Sequence, residues 1–153
     1  MTYRRLLVPL DDSPTARRGL DEALALGRAL GGSTLVLLHV VEFVPMMPEV
    51  ASGQAWEAIR QGLEVTGRTL LDAAAAKVRA AGVACETVLG DAGAGRPADC
   101  IVAEALTQRC DVIVMGTHGR RGMRRALLGS DAELVLRQSP VPVLLVRGEA
   151  AKA

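Results

Sequence analysis

Aromatic side chains are almost absent from this sequence of 153 residues, which contains one Trp, one Tyr and one Phe. Without aromatics, a core has to be built from Ala, Val, Leu and Ile, which favours close packing of helices on a sheet over an aromatic-rich β-sandwich. Half of the residues are apolar and 23% are charged, which is the balance of a globular protein. The length suits one domain that is large enough to bury a core.

Cysteine is also scarce, and the three residues lie far apart in the sequence, at Cys85, Cys100 and Cys110. Their number is odd, and no CxxC pair or histidine-rich spacing accompanies them. The sequence therefore predicts no zinc site and no other metal centre. We expect reduced, buried thiols in a protein of the cytosol.

A strong net charge and a long apolar run are both missing. The formal charge of +1 gives no whole-molecule attraction to nucleic acid or to a membrane surface. The first apolar run follows Met-Thr-Tyr-Arg-Arg and is too short for a signal peptide or a membrane span. We therefore expect a cytoplasmic protein whose partners are neither nucleic acid nor membrane.

Short apolar runs alternate along the chain with segments of helical periodicity. The apolar runs predict strands at residues 6–10, 35–41, 83–89, 111–117 and 143–146. The periodic segments predict helices over residues 14–30, residues 56–81, the stretch from Pro97 and residues 130–139. Residues 42–55 are predicted to form a loop, and residues 90–96 a glycine-rich turn.

Two sequence signals mark where helices begin. Ser13 and Pro14 provide an N-cap and a first-turn proline for the first helix. Ser130 and Glu133 form an S-x-x-E pattern, which predicts a capping box at the start of the last helix.

The order of these elements is strand–helix repeated, with no internal repeat and no linker. Consecutive apolar residues within strands indicate burial on both faces. We therefore predict a single-domain α/β fold with a five-stranded parallel sheet and helices on both faces. The domain is expected to span residues 1–148, with residues 149–153 as a tail. Ligands of such sheets bind beyond the carboxyl ends of the strands.

The stretch from Met115 to Ser130 has the composition of an anion-binding loop. A strand ends at Gly116-Thr117-His118-Gly119, and Gly129-Ser130 then opens a helix. Glycines let backbone N–H groups approach an anion, and a helix start presents free N–H groups with a partial positive charge. Ser130 is placed either to cap the helix or to bond a phosphate. The alternative is a loop without a ligand.

This pattern, G-x2-G-x9-G-[S/T], resembles the nucleotide motif of the ATP-binding universal stress proteins. The segments Leu-Val-Pro-Leu-Asp-Asp-Ser, Leu-Leu-His-Val-Val and Pro-Val-Pro-Val-Leu-Leu-Val-Arg resemble the same family, and the likeness covers nearly the whole chain. The resemblance implies a Rossmann-like (adenine nucleotide alpha-hydrolase-like) fold with strand order 3-2-1-4-5. It also implies a stress-response or signalling module that binds ATP, ADP or AMP, with which Mg²⁺ can bind.

The resemblance also assigns residues to the nucleotide site, at the ends of three strands and the start of the last helix. They are Pro9, Leu10, Asp11, Val40, Met115, Gly116, His118, Gly119, Gly129, Ser130, Asp131 and Ala132. Asp11 would contact the ribose, and Pro9, Leu10 and Val40 would border the adenine. Met115 and Gly116 would line the ribose side. The backbone of Gly119, Gly129 and Ser130 would hold the phosphates, with His118 nearby.

One position departs from the family pattern. Valine often follows the Gly-Ser pair in the family, whereas this chain has Asp131. A carboxylate beside the terminal phosphate would repel it, so we expect ATP to bind less well than AMP when no metal is present.

The implied strand order places the last strand at an edge of the sheet. An exposed apolar edge favours pairing with another copy. We therefore expect a homodimer through Val143, Leu144, Leu145 and Val146.

Other readings have weaker support in the residues. Asp11-Asp12, Asp91 and Thr117 are arranged along the chain as in a phosphoacceptor receiver domain, but Arg147 stands where a receiver needs lysine. Gly93–Ala98 fits a G-x-G-x-x-A dinucleotide fingerprint, yet no acid follows at the next strand end, so a simple glycine turn is the better interpretation.

Single side chains also leave alternatives open. His39 is interpreted as a core histidine with its hydrogen bonds satisfied. The arginines at 120, 121, 124 and 125 form either a solvated face or a phosphate-neutralising cluster, with nucleic-acid binding ranked last.

His118, Ser130 and Asp11 lack the G-x-S-x-G elbow of a catalytic triad. We predict no catalytic residue and no dedicated enzyme, although slow ATP hydrolysis is compatible with the motif. The competing function is a nucleotide-independent dimeric interaction module.

Overall fold

A computed structural model describes residues 3–42, 53–118 and 128–148. Strands and helices alternate within these residues: β1 (Arg5–Pro9), α1 (Pro14–Leu30), β2 (Thr34–Val41), α2 (Gly53–Ala80), β3 (Ala84–Asp91), α3 (Pro97–Thr107), β4 (Val112–Gly116), α4 (Ser130–Gln138) and β5 (Val143–Val146). The predicted succession of elements is confirmed. Residues 149–153, the predicted tail, and most of the predicted loop at 42–55 lie outside the described residues. Residues 53–55, predicted to end that loop, form the first turn of α2 instead.

The sheet has five parallel strands in the order β3-β2-β1-β4-β5, as the family resemblance implied. β1 lies at its centre and pairs with β2 from Arg5↔Thr34 to Pro9↔Leu38. The chain runs from β1 outward to β3 and then crosses to the other side of β1. The strand order therefore changes direction between β1 and β4, where sheets of this type open a crevice at their carboxyl ends.

Helices cover both faces of the sheet, because successive strand residues point to opposite sides. Leu6 and Val8 belong to the core cluster that packs with α1 and α2. Leu7, between them, belongs to a second cluster that packs with α3 and α4. The largest fully buried side chains are Leu, Ile and Val, which confirms the aliphatic core predicted from the scarcity of aromatics.

The start of α1 follows the prediction. The Ser13 side chain accepts a hydrogen bond from the Ala16 N–H at 3.1 Å, and Pro14 occupies the first helical position. The helix ends before Gly31, whose φ of 63° is readily adopted by glycine.

β3 is longer than predicted. The sequence predicts a turn at Gly90 and Asp91, but both residues continue the ladder by pairing with Val40 and Val41 of β2. A Cβ on Gly90 would lie 2.7 Å from the Cys100 sulfur, so glycine is needed there for the packing of α3 and not for a turn.

Arg5 connects β1 to β3 and to the end of α3, at the amino-terminal ends of the strands. Its guanidinium makes a two-pronged ion pair with Glu86 of β3, at 3.0 and 2.8 Å, and its Nε–H donates to the Gln108 carbonyl at 2.8 Å. The Asp111 carboxylate accepts from the backbone N–H groups of Arg4 and Arg5. These contacts lie at the opposite end of the strands from the predicted site, so their role is in stability.

None of the helices described for this chain combines the length and the apolar character that crossing a membrane requires.

Candidate functional site

The turn between β1 and α1 forms one wall of the crevice. The half-buried Asp11 accepts a hydrogen bond from the Ser13 N–H through its carboxylate at 3.0 Å. Asp12 has a φ of 64°, a left-handed conformation that aspartate tolerates, and its carboxylate pairs with Arg17 at 2.6 Å. This Asx turn fixes Asp11 just beyond the carboxyl end of β1.

The residues after β4 form the facing wall, and α1 contacts them directly. The Thr15 hydroxyl donates to the His118 carbonyl, and the Ser13 hydroxyl donates to the same oxygen at 3.4 Å. Sequence reasoning missed Thr15 as a site residue. The signal available was the Ser-Pro-Thr run after a strand, but its partner lies 103 positions away and no local pattern reveals it.

Gly116 allows this contact between α1 and β4. A Cβ at Gly116 would lie 2.7–2.9 Å from the Thr15 carbonyl carbon, carbonyl oxygen and Cβ. Its φ is not positive, and Gly129 has a φ of −73°. A positive φ is therefore not the reason for glycine at either position, and at Gly116 the structural reason for glycine is close packing.

The start of α4 differs from the prediction. Gly129, not Ser130, is the N-cap residue, so Ser130 is the first helical residue and the predicted capping box is wrong. The reason is a contact across space. The Gly129 N–H donates to the Thr117 carbonyl at 2.7 Å while the Gly129 carbonyl accepts from the Glu133 N–H, which starts the helix one residue earlier.

This start places three backbone amides beside the crevice. The N–H groups of Ser130, Asp131 and Ala132 occupy the first helical positions, where an α-helix offers them no acceptor of its own. Ser130 is exposed, Asp131 is half-buried and Ala132 is buried. Asp131 and Glu133 bring two carboxylates into the same turn. They favour the helix dipole but oppose an anion.

The apolar part of the crevice comes from β1, β2 and β4. Leu10 and Met115 are each 6% exposed, while Pro9 and Val40 are half-buried. His39 lies next to them, and its Nδ1 is 2.7 Å from the Leu10 carbonyl oxygen. The prediction of a core histidine with satisfied hydrogen bonds is therefore met in part: Nδ1 has a partner, but His39 is half-buried and lies outside the buried core.

The structure therefore brings most of the predicted site residues to the carboxyl ends of the strands. Gly119 and the arginines at 120, 121, 124 and 125 lie outside the described residues, so their predicted roles stay predictions. Thr117, although buried, contributes a backbone carbonyl to the site.

The receiver-domain reading is not supported by the sheet. β2 lies between β1 and β3, so Asp11 and Asp91 are separated by a strand. The Asp91 carboxylate accepts from the Gly93 N–H at 2.7 Å, which is the bond of a local turn. No cluster of three His, Cys, Asp or Glu residues capable of holding a metal occurs in the described parts of the chain.

Cys100 and Cys110 are poorly suited to reaction. Burial raises the pKa of Cys110 to about 11, and it also raises the pKa of Cys100. A thiol that stays protonated at neutral pH is a weak nucleophile. These two thiols are structural.

A separate shallow cavity of about 150 Å³ lies on the α2 side of the sheet, away from α4. It is lined by Val41, Glu64, Arg68, Leu89, Gly90 and Asp91. None of the predicted site residues lines it.

Comparison with known proteins gives a consistent result. A model of the universal stress protein family matches residues 2–147. A universal stress protein of Methanocaldococcus jannaschii is 31% identical over 145 residues, which cover 95% of this chain and 82% of that protein. One from Thermus aquaticus is 33% identical over 148 residues, covering 95% of this chain and 99% of that protein.

Solved structures share the fold over nearly the full length. The M. jannaschii protein MJ0577 matches with a TM-score of 0.85 and 26% identity, covering 99% of this chain and 100% of that one. A universal stress protein in complex with cAMP matches with a TM-score of 0.69 and 22% identity, covering 97% and 100%. An Arabidopsis thaliana family protein with AMP bound matches with a TM-score of 0.68 and 22% identity, covering 96% and 93%.

Proposed function

This chain belongs to the universal stress protein family, and from that premise we propose that it binds an adenine nucleotide reversibly in the crevice at the carboxyl ends of β1, β2 and β4. The domain that carries the function is residues 1–148. Binding itself, and not a dedicated reaction, is the function. Any hydrolysis of ATP is slow.

The observation that carries this proposal is the meeting of three distant segments at the end of β4. Thr15 of α1 donates to the His118 carbonyl, and Gly129 donates to the Thr117 carbonyl at 2.7 Å. The candidate ribose residue Asp11 and the candidate phosphate amides of α4 therefore lie on either side of one short stretch of backbone. Two proteins of the same fold have been solved with AMP and with cAMP, which supports an adenine nucleotide as the ligand.

Each part of the nucleotide has a chemically suitable partner in the crevice. A carboxylate such as Asp11 accepts hydrogen bonds from ribose hydroxyls. Leu10, Val40 and Met115 offer apolar surface to the flat base. The N–H groups of Ser130, Asp131 and Ala132 point their positive ends toward a phosphate, with His118 nearby. The Gly129 N–H is taken by the Thr117 carbonyl, so Gly129 contributes by leaving space for the phosphate, and the role of Gly119 stays a prediction.

ATP, ADP and AMP all fit this description, since they share the base, the ribose and the first phosphate. The family motif points to ATP, and Mg²⁺ is its usual companion. In the cell, the bound nucleotide makes the protein a cytoplasmic stress-response or signalling module. The active form is a homodimer paired through β5, because β5 is an edge strand of the sheet and its apolar edge favours pairing with a second copy.

Gly129→Val tests the proposal most directly. A side chain at Gly129 would obstruct the approach of a phosphate to the helix start. Nucleotide at a hundredfold excess over its dissociation constant should stabilise the wild type by about 2.7 kcal/mol, and the variant by much less. Gly62→Val is the matched control, because Gly62 is exposed on α2 with open space around it. Equal thermal shifts with ATP in all three proteins would refute the proposal.

The competing function, a nucleotide-independent interaction module, makes a different prediction for the nucleotide content of the protein as purified. Freshly purified protein would then release no adenine nucleotide on denaturation, as read by ultraviolet absorbance and mass spectrometry. The chain has one Trp and one Tyr, so its own absorbance is low and bound adenine would be detected easily.

A further inference from the structure

We infer that His39 is a positioning residue for the candidate site: its imidazole, reaching across from β2, fixes the peptide group from which Asp11 departs. The inference rests on the proposed function, because positioning Asp11 matters only if Asp11 contacts a ligand. It assigns a role in binding to a side chain that the sequence suggested was part of the core.

The hydrogen bond between His39 and the Leu10 carbonyl lies where the pairing of β1 with β2 ends. Strand pairing ends at Pro9↔Leu38, and the Leu10 N–H still donates to the Leu38 carbonyl at 2.8 Å. The next acceptor of the ladder, the Leu10 carbonyl, is taken by the His39 Nδ1 at 2.7 Å. The Leu10 carbonyl and the Asp11 N–H belong to one planar peptide group, so the ring sets the plane from which Asp11 continues.

The ring itself is held in a slot of α2. Gly67 is buried, and a Cβ there would lie 2.6 Å from His39 Cδ2 and 3.2 Å from Nε2. The same Cβ would lie 2.8 Å from a methyl group of Leu89, which pairs with His39 in the β2–β3 ladder. Glycine at 67 therefore leaves the space that the imidazole fills, and the ring packs directly against the α2 backbone.

The fixed peptide is the first link of a hydrogen-bonded path across the crevice. Asp11 accepts from the Ser13 N–H at 3.0 Å, and the Ser13 hydroxyl donates to the His118 carbonyl at 3.4 Å. Rotation of the Leu10–Asp11 peptide by a few tens of degrees would move the carboxylate by about 1 Å, which takes a hydrogen bond of ordinary length beyond the useful range. The ring thus controls a ligand-binding group that it does not touch.

The partner also sets the proton position. A carbonyl oxygen can only accept, so Nδ1 carries the hydrogen and the neutral ring has its lone pair on Nε2. This Nδ1–H tautomer is a spectroscopic signature of the inferred role, because a ring that only fills space has no reason to prefer it.

The test compares two substitutions at His39. Asparagine can place its Nδ2 where the imidazole Nδ1 lies and so keep the donor, whereas leucine fills the slot without one. We expect His39→Leu to weaken AMP binding about tenfold, which corresponds to losing one hydrogen bond, and His39→Asn to stay within about threefold of the wild type. Val78→Ala, which truncates a fully buried residue of α2 outside the site, controls for lost stability and should lower Tm while leaving AMP affinity unchanged. Equal AMP affinity in wild type and both His39 variants would overturn the inference, as would an equal loss in both.

Two measurements on nucleotide-free protein separate this inference from the proposed function. Nitrogen-15 NMR of the His39 ring should show the Nδ1–H tautomer. The amide signals of Asp11 and Ser13 should shift in His39→Leu and stay close to wild type in His39→Asn. A wild type that binds no adenine nucleotide, yet shows these signals, would refute the proposed function and leave the positioning of Asp11 supported. An Nε2–H tautomer, or amide signals unchanged in both variants, would refute the inference whatever the wild type binds.

Discussion

The hydroxyl of Thr15, in the first turn of α1, donates a hydrogen bond to the backbone carbonyl of His118, 103 positions later in the chain. The sheet reverses its strand order between β1 and β4. This bond connects the helix that follows β1 to the residues that follow β4. It holds the start of α1 against the residues after β4, beside the crevice in which we propose that the nucleotide binds.

Thr15→Val removes the hydroxyl and keeps the shape of the side chain. The His118 carbonyl loses a donor, so we expect stability to fall by about 0.5–1.5 kcal/mol and AMP affinity to fall with it. Denaturant unfolding and calorimetry measure the two effects. Thr69→Val is the matched control, since its hydroxyl donates to the Val65 carbonyl within α2, away from the crevice. A Thr15 variant that behaves like the Thr69 variant would mean that the bond does not shape the site.

We expect Asp131 to set the preference of the site between ATP and AMP. A carboxylate about 6 Å from a terminal phosphate charge, at an effective dielectric near 20, repels it by roughly 2–3 kcal/mol. We therefore expect the protein without metal to bind AMP better than ATP, Asp131→Asn to narrow the gap, and Mg²⁺ to narrow it in the wild type. Calorimetry with both nucleotides, with and without Mg²⁺, measures the ratio.

Glu133→Gln is the control for that measurement. Glu133 occupies the same turn, is exposed and pairs with Arg137 at 2.8 Å. Neutralising Glu133 removes a similar favourable interaction between a carboxylate and the helix dipole. The two positions differ in burial, because Glu133 is exposed and Asp131 is half-buried. An ATP-to-AMP ratio that Asp131→Asn leaves unchanged under both conditions would show that Asp131 serves only the helix start.

The predicted dimer through β5 requires a careful choice of substitution. Leu145 is half-buried against the core under α3 and α4, so a lysine there would also destabilise the monomer. Leu144 is 38% exposed and is the better position. We expect Leu144→Lys to weaken self-association in sedimentation experiments, whereas Leu106→Lys, at an exposed leucine of α3, should not. A wild type that sediments as a monomer at micromolar concentration would refute the dimer.

The Arg5–Glu86 pair gives the molecule a pH-dependent contribution to stability. The hydrogen-bonded guanidinium of Arg5 lowers the pKa of Glu86 in the folded protein. A lowered folded-state pKa stabilises the fold above the unfolded-state pKa of about 4.3, and the benefit is lost as pH falls through the folded value. Glu86 is half exposed, so the contribution is at most about 1 kcal/mol.

Unfolding in urea at neutral pH and at successively lower pH tests this. We expect the wild type to lose more stability on acidification than Glu86→Gln. In an Arg5→Gln background the same substitution should make no difference to the pH dependence, because the guanidinium is gone. Parallel acid profiles of wild type and Glu86→Gln would contradict the assignment.

Local signals in the sequence predicted the elements well, because each depends on neighbours along the chain. Ser13 and Pro14 begin α1 in the structure as they do in the pattern, and the apolar runs of β1, β2 and β4 are buried. The strand order came from the family resemblance, since periodicity alone does not say which strands are adjacent.

Prediction failed where a distant contact decides the local structure. Ser130 has the spacing of an N-cap, but the bond from Gly129 to Thr117 starts the helix one residue earlier. Gly90 begins a glycine-rich stretch that predicts a turn, yet pairing with Val40 of β2 extends the strand through it. Thr15 gave no signal as a site residue, because what makes it one is the carbonyl that it meets in the fold.

The sheet divides the hydrophobic interior into two bodies, one under α1 and α2 and the other under α3 and α4. Each can loosen by local unfolding with its own free energy. The crevice lies where the start of α1 from one body meets the start of α4 from the other, so a nucleotide held there depends on both. We therefore expect the residence time of a bound nucleotide to follow the less stable of the two helix layers and not the stability of the molecule as a whole.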